Sequence, residues 1–212
     1  MKLYGYWRSS AAYRVRIAMH IKGINFESIP VHLVKEGGEQ HKADYVAMNP
    51  THLVPTLVDG DLVLNQSMAI IDYLEQKYPS HSLYPDNIED AARVRAMALD
   101  IACEVHPLNN LRVQQYLVKE LGVDDKQKMQ WVHDWMHTGF AAYERQLEKF
   151  AGDFSFGNRV SVADLCLVPQ VYNANRFDVD MSAYPLITKV VENCLALSAF
   201  DKAVPENQAD AT

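Results

Sequence analysis

Two serines, Ser9 and Ser10, stand where a short strand-like run gives way to a helical pattern, and that junction gives them their chemistry. The first turn of a helix leaves backbone N–H groups unpaired and carries the positive end of the helix dipole, so an anion or thiolate placed there is stabilised. A hydroxyl at the same point adds one more donor. Serine is also among the preferred helix N-caps, and the stretch Trp7 to Ala18 alone does not separate a capping serine from a thiol-activating one. A second polar pair, Gln66-Ser67, opens another predicted helix and offers the same setting for a carboxylate. The first helix opens Ser9-Ser10-Ala11-Ala12, where a dithiol enzyme would carry Cys-x-x-Cys, so dithiol chemistry is excluded and a reacting sulfur must arrive with a ligand.

The elements that must position these groups follow from periodicity. Lys2 to Trp7 reads as a strand, Ser10 to Ile21 as a helix closed by Gly23 in a left-handed cap, and Phe26 to Leu33 as a second strand. Lys35 to Met48 is helical or irregular and ends at Asn49-Pro50. Asp59-Gly60 between alternating runs predicts a hairpin over 53–58 and 62–65, and a helix follows from Met68 to Tyr78. This order is that of a thioredoxin-like α/β domain over residues 1–82. In such a domain Val54-Pro55 suits a cis peptide bond that leaves the Val54 backbone open to an extended peptide ligand. A hydroxyl at one helix start, an open strand edge and a polar pair at a second helix start together fit a tripeptide with a thiol and two carboxylates.

Pro79 and Pro85 bracket a linker, and an all-helical second domain is expected over 87–210. Its first helix, Ile88 to Leu121, contains Pro107 and should kink or break there. Asp125 to Phe150 and Ser161 to Phe177 read as further helices, the latter opened by a capping-box pair, Ser161 and Asp164, with Val160 and Leu165 as a hydrophobic staple. Asp164 therefore reads as a folding residue. A last helix runs from Tyr184 to about Ala199, and residues 204–212 have the composition of a frayed tail.

The chain has 212 residues and a formal net charge of −7, which argues against nucleic acid or an anionic membrane surface as partner, so any anionic ligand must be held by local arginines. No apolar run approaches the roughly 20 residues that span a bilayer, and no signal peptide is visible; a cytoplasmic protein is expected. Cys103, Cys166 and Cys194 form neither a disulfide framework nor a zinc pattern, and read as reduced core or near-core residues; no metal site is expected.

The pattern Ser9-Ser10-x-x-x-Arg14-Val15-Arg16-Ile17-Ala18, with Asn49-Pro50, Val54-Pro55-Thr56-Leu57, Gln66-Ser67 and the run Ala163 to Val171, resembles the zeta class of glutathione transferases, close to bacterial maleylacetoacetate and maleylpyruvate isomerases. The resemblance covers about Lys2 to Phe200. It implies a homodimer of the glutathione transferase fold, with glutathione as a regenerated cofactor bound by Ser9, Ser10, Gln40, Val54, Pro55, Gln66 and Ser67, joined by His106 and Asn110. His52 is a further candidate for the glycyl carboxylate, and His106 is equally readable as a packed histidine. The implied reaction is cis–trans isomerisation of a dicarboxylate by addition and elimination of the glutathione thiolate, with Ser9 foremost and Ser10 second as the activating hydroxyl. Arg8, Arg112 and Arg176 are implied as the clamp on the substrate's carboxylates, a task that suits the planar guanidinium. The family motif commonly reads Ser-Ser-Cys where this chain has Ala11, so any role of that cysteine is absent. Both maleyl substrates call for the same clamp, and a general transferase or a non-catalytic ligand-binding dimer are the competing readings.

Overall fold

The computed structural model describes residues 1–212, which divide into two compact units: Met1–Ser82 with Leu197–Thr212, and Leu83–Ala196. In the first unit β1 (Lys2–Gly5), α1 (Ser10–Ile21), β2 (Glu27–Pro30), α2 (Ala43–Met48), β3 (Thr56–Asp59), β4 (Leu62–Asn65) and α3 (Ser67–Lys77) follow one another. The sheet has the order β2-β1-β3-β4, with β1 parallel to β2 and antiparallel to β3, and β3 antiparallel to β4 in the register Thr56 opposite Asn65. This is the thioredoxin-like arrangement expected. The strands are shorter than their alternating runs suggest: β1 stops at Gly5 and Trp7 already lies in a turn.

Nearly every face of α1 is buried, including Arg14 and Arg16. The Arg16 guanidinium donates to the Ala203 carbonyl at 3.1 Å and the Trp7 carbonyl at 3.0 Å. It thereby draws α9 (Ser198–Ala203) onto α1. The Asp210 carboxylate accepts the Trp7 N–H at 3.1 Å, so the tail read as frayed is instead an ordered part of the first unit, and the segment from 197 onward leaves the helical domain to which composition assigned it. Composition registers only the polarity of such a tail, whereas its order comes from acceptors that meet donors on α1 and in the turn that leads into it. Lys22, past the end of α1, is buried and donates to Glu75 and to the Tyr78 and Ser80 carbonyls, which fastens the end of α3.

The second unit is helical: α4 (Ile88–Leu99), α5 (Leu111–Lys119), α6 (Asp125–Phe150), α7 (Val162–Arg176) and α8 (Pro185–Leu195). The predicted break at Pro107 is drawn out over ten residues, a π turn at Asp100–Val105 followed by a 3-10 turn at His106–Asn109. Side chains take up carbonyls that the break frees, Trp131 donating to the Leu108 oxygen at 2.8 Å and Asn109 to that of Val105 at 2.7 Å. Gly139 of α6 must lack a side chain, since a Cβ there would stand 2.2 Å from a Val105 methyl. At the start of α7 the Asp164 carboxylate accepts the Ser161 N–H at 2.8 Å, as the capping pattern predicts, and also the Ser155 N–H at 2.7 Å. Cys166 and Cys194 are buried, but Cys103, expected near the core, is exposed in the π turn, where the slipped helical register turns it outward. No helix is long and apolar enough to cross a membrane.

Candidate functional site

Ser9 has strand-like dihedrals and caps α1, its Oγ accepting the Ala12 N–H at 3.2 Å. Capping uses a lone pair and leaves the hydroxyl proton, so the bland and the chemical roles of this serine coexist. Ser9 is half-buried while Ser10 is buried behind it, which leaves Ser9 the more accessible hydroxyl. Beside them the Arg8 guanidinium lies 4.0 Å from the centre of the Trp7 ring, exposed and with no carboxylate of the chain against it. The cation–π contact with Trp7 holds the head without neutralising it.

The start of α3 is a second place for negative charge. Gln66 sits at φ 67°, a conformation few side-chain-bearing residues adopt, and its side chain does not cap the helix. Behind it Arg14 is buried, touching Ser67 Oγ with one nitrogen at 3.4 Å, while its Nε and Nη2 have no partner. A buried guanidinium with unpartnered N–H groups beside a helix start suits a carboxylate.

Between these two helix starts lies the loop 49–55. The Val54-Pro55 peptide is cis, as anticipated, and neither the N–H nor the C=O of Val54 is engaged by another group of the chain. Asn49 fixes this loop: its Nδ2 donates to the Leu53 oxygen at 2.8 Å and to Thr56 Oγ1 at 3.0 Å, and its Oδ1 accepts from Thr51 and Asn65. The Tyr45 hydroxyl donates to the same Leu53 oxygen at 2.6 Å, and burial pushes that phenol up, keeping it a neutral donor. Beyond the Asn49-Pro50 motif, the sequence does not single out Asn49 and Tyr45 as functional residues, because a buried amide that holds a loop carries no periodic signal.

Gln40 and His52 are placed together through a residue the sequence reading passed over, His41. Gln40 Nε2 lies 3.3 Å from the Leu33 oxygen and 3.1 Å from His41 Nε2, and His41 Nδ1 lies 3.0 Å from His52 Nδ1.

In the second unit, His106 opens the 3-10 turn and Asn110 caps α5, its side chain accepting the Arg112 N–H at 3.2 Å. Arg112 is exposed and makes no ion pair. Arg176 donates to Asn173 Oδ1 at 2.9 Å; Asn173 donates to Asn109 Oδ1 at 3.0 Å. Through Asn173 and Asn109, both buried, the end of α7 is tied to the turn that carries His106 and leads directly into Asn110 and Arg112 at the start of α5, so these four candidates share one region of their unit. No group of three or more His, Cys, Asp or Glu side chains is placed to hold a metal ion.

Residues 1–76 match the model of the glutathione S-transferase N-terminal domain, and residues 114–198 that of the C-terminal domain. A probable maleylacetoacetate isomerase of Vibrio cholerae is 54% identical over 99% of this chain and 97% of its own. A holo structure of a maleylpyruvate isomerase, described as a bacterial zeta-class glutathione S-transferase, superposes with a TM-score of 0.97 at 44% identity over 100% of both chains. A maleylacetoacetate isomerase from Methylobacterium extorquens AM1, solved with bound malonate and glutathione, gives 0.96 at 40% identity, again over 100% of both chains.

Proposed function

This chain belongs to the glutathione S-transferase family, and on that premise we propose that it is a glutathione-dependent isomerase converting maleylacetoacetate to fumarylacetoacetate in aromatic amino-acid catabolism. The observation that carries the reading is Ser9, which caps α1 with its oxygen and keeps its proton for a sulfur set at the same helix start. Glutathione supplies, when bound, a thiolate that adds to the activated double bond and leaves it again after rotation. A thiol of ordinary pKa, about 8.5, must be partly ionised near neutrality, and a hydroxyl donor at a helix N-terminus favours the ionised form.

The donor set suits that tripeptide. Val54 offers an unpaired N–H and C=O to its backbone, and the α3 start with Gln66, Ser67 and the buried Arg14 offers positive potential to a carboxylate. Gln40, Pro55, Ser10, His106 and Asn110 complete the binding residues that the zeta-class resemblance supports, and His52, just ahead of the Val54-Pro55 bond, joins them by position. Arg8, Arg112 and Arg176 hold the carboxylates of the substrate, and bound malonate in the Methylobacterium relative supports a dicarboxylate pocket. A homodimer acting in the cytoplasm belongs to the same reading and draws its support from the family. Maleylpyruvate is the alternative substrate, a reading supported by the likeness to the maleylpyruvate isomerase structure.

The test is an ultraviolet assay of the loss of each maleyl substrate with and without glutathione. Glutathione-dependent loss, faster for maleylacetoacetate, is expected; no loss of either substrate would overturn the proposal, and faster loss of maleylpyruvate would reassign the substrate.

A further inference from the structure

The chain Gln40, His41, His52 has a direction that elementary hydrogen-bond chemistry fixes. Gln40 is buried, and its amide nitrogen faces the Leu33 carbonyl at 3.3 Å. The flipped amide would set two acceptors against each other, so the nitrogen is the atom at this position. That NH2 group is a donor only, so His41 Nε2, 3.1 Å away, accepts. A neutral imidazole whose Nε2 accepts carries its proton on Nδ1. His41 Nδ1 therefore donates across 3.0 Å to His52 Nδ1, and the His52 proton is left on Nε2, where no acceptor of the chain meets it. The two rings stand with centroids 5.1 Å apart, tilted by 38°. Gly38 is what lets the amide tuck in: at φ 104° it brings its Cα so close that a Cβ would lie 2.5 Å from Gln40 Nε2.

We propose that Gln40 and His41 are positioning residues which, by fixing the tautomer of His52, present its Nε2–H as a donor to the C-terminal carboxylate of the tripeptide cofactor. The inference rests on the glutathione reading above and assigns a reader for one end of the molecule. The register puts Gln66 and Ser67 beside Pro55, since Asn65 is opposite Thr56, while His52 lies along the chain on the far side of Val54. An extended ligand paired with Val54 thus has a carboxylate site towards each end. His52 is itself held at φ 57° by the loop that Asn49 anchors, so the donor is fixed at backbone as well as ring.

The experiment combines calorimetric titration with nitrogen-15 NMR of the imidazoles. In the wild-type protein the spectra should show His41 protonated on Nδ1 and His52 on Nε2. Glutathione should bind tighter than γ-glutamylcysteine, which lacks the glycine. His41→Ala and His52→Ala should each weaken glutathione by about tenfold, the scale of one lost hydrogen bond to a charged group. Neither should move γ-glutamylcysteine by more than about twofold. His41→Asn, whose amide nitrogen takes the place of Nδ1, should restore most of the glutathione affinity. The opposite tautomers, an unchanged glutathione affinity in His41→Ala, or equal losses for both peptides would overturn the relay while wild-type binding upholds the glutathione reading. A wild-type protein that binds neither peptide would overturn both.

Discussion

Ser9 Oγ and the Ala12 N–H are joined at 3.2 Å, so the residue that begins α1 also holds a hydroxyl proton at the positive end of the helix. Ser9→Ala should lower isomerase turnover by about 10²-fold, the scale of losing one preorganised donor, and cost about 1 kcal/mol of stability from the lost cap. Ser9→Asn separates the two effects, keeping a good cap while changing the donor, and should restore the melting temperature more than the rate. A silent Ser9→Ala beside a damaging Ser10→Ala would transfer the role to Ser10.

Arg8, Arg112 and Arg176 should each contribute to binding the substrate dianion and hardly at all to glutathione. Replacement by Met should weaken a maleyl dicarboxylate by about ten- to hundredfold, as expected for a lost charge-assisted contact. Separate titrations of the two ligands decide it, with conjugation of an uncharged electrophile as control. Equal losses toward charged and uncharged substrates would replace the dianion clamp with a general transferase pocket.

Asp164 should matter to stability and not to glutathione binding. It is fully buried at the start of α7 and accepts the N–H groups of Ser155 and Ser161, so Asp164→Ala strands two donors and should cost about 3 kcal/mol, more than the roughly 1 kcal/mol of Ser161→Ala. Burial pushes this carboxyl up from its ordinary 3.8. The folded chain then keeps the proton at pH values where the unfolded chain has lost it, so this group makes stability fall as pH rises from about 3.8 to its folded value. Urea midpoints across that interval should slope less in Asp164→Asn than in the wild type. A steeper slope in the variant would reverse the assignment.

The Trp7–Asp210 contact predicts a role for the far end of the chain in the first unit. Removal of residues 205–212 should lower the melting temperature, and Asp210→Asn, which keeps an acceptor oxygen, should lower it less than Asp210→Ala. Melting temperatures equal to that of the wild type in all three would mean that the tail contributes nothing to the first unit.

Much of this is legible in the sequence. Asp59-Gly60, the Ser161–Asp164 spacing and the serines before α1 are local signals, set by turn and capping chemistry within a few residues, and the elements formed where they pointed. Pro107 announced a break but not its length, because the π turn depends on the close passage of Gly139 against Val105, 34 positions along the chain. The order of the tail depends on Arg16 and Trp7, 187 and 203 residues away from their partners. The same holds at the site: Ser9, Val54 and Gln66 sit at motif positions, whereas Asn49, His41, Asn109 and Asn173 work through hydrogen bonds that only the folded chain brings together.

In the proposed reaction glutathione is returned at every turnover. Free thiol should therefore be titrated before and after complete conversion of a large excess of maleylacetoacetate over glutathione. An unchanged thiol concentration is expected, with the substrate fully converted to its trans isomer. Loss of one thiol for each substrate consumed would contradict it and identify the chain as a conjugating transferase.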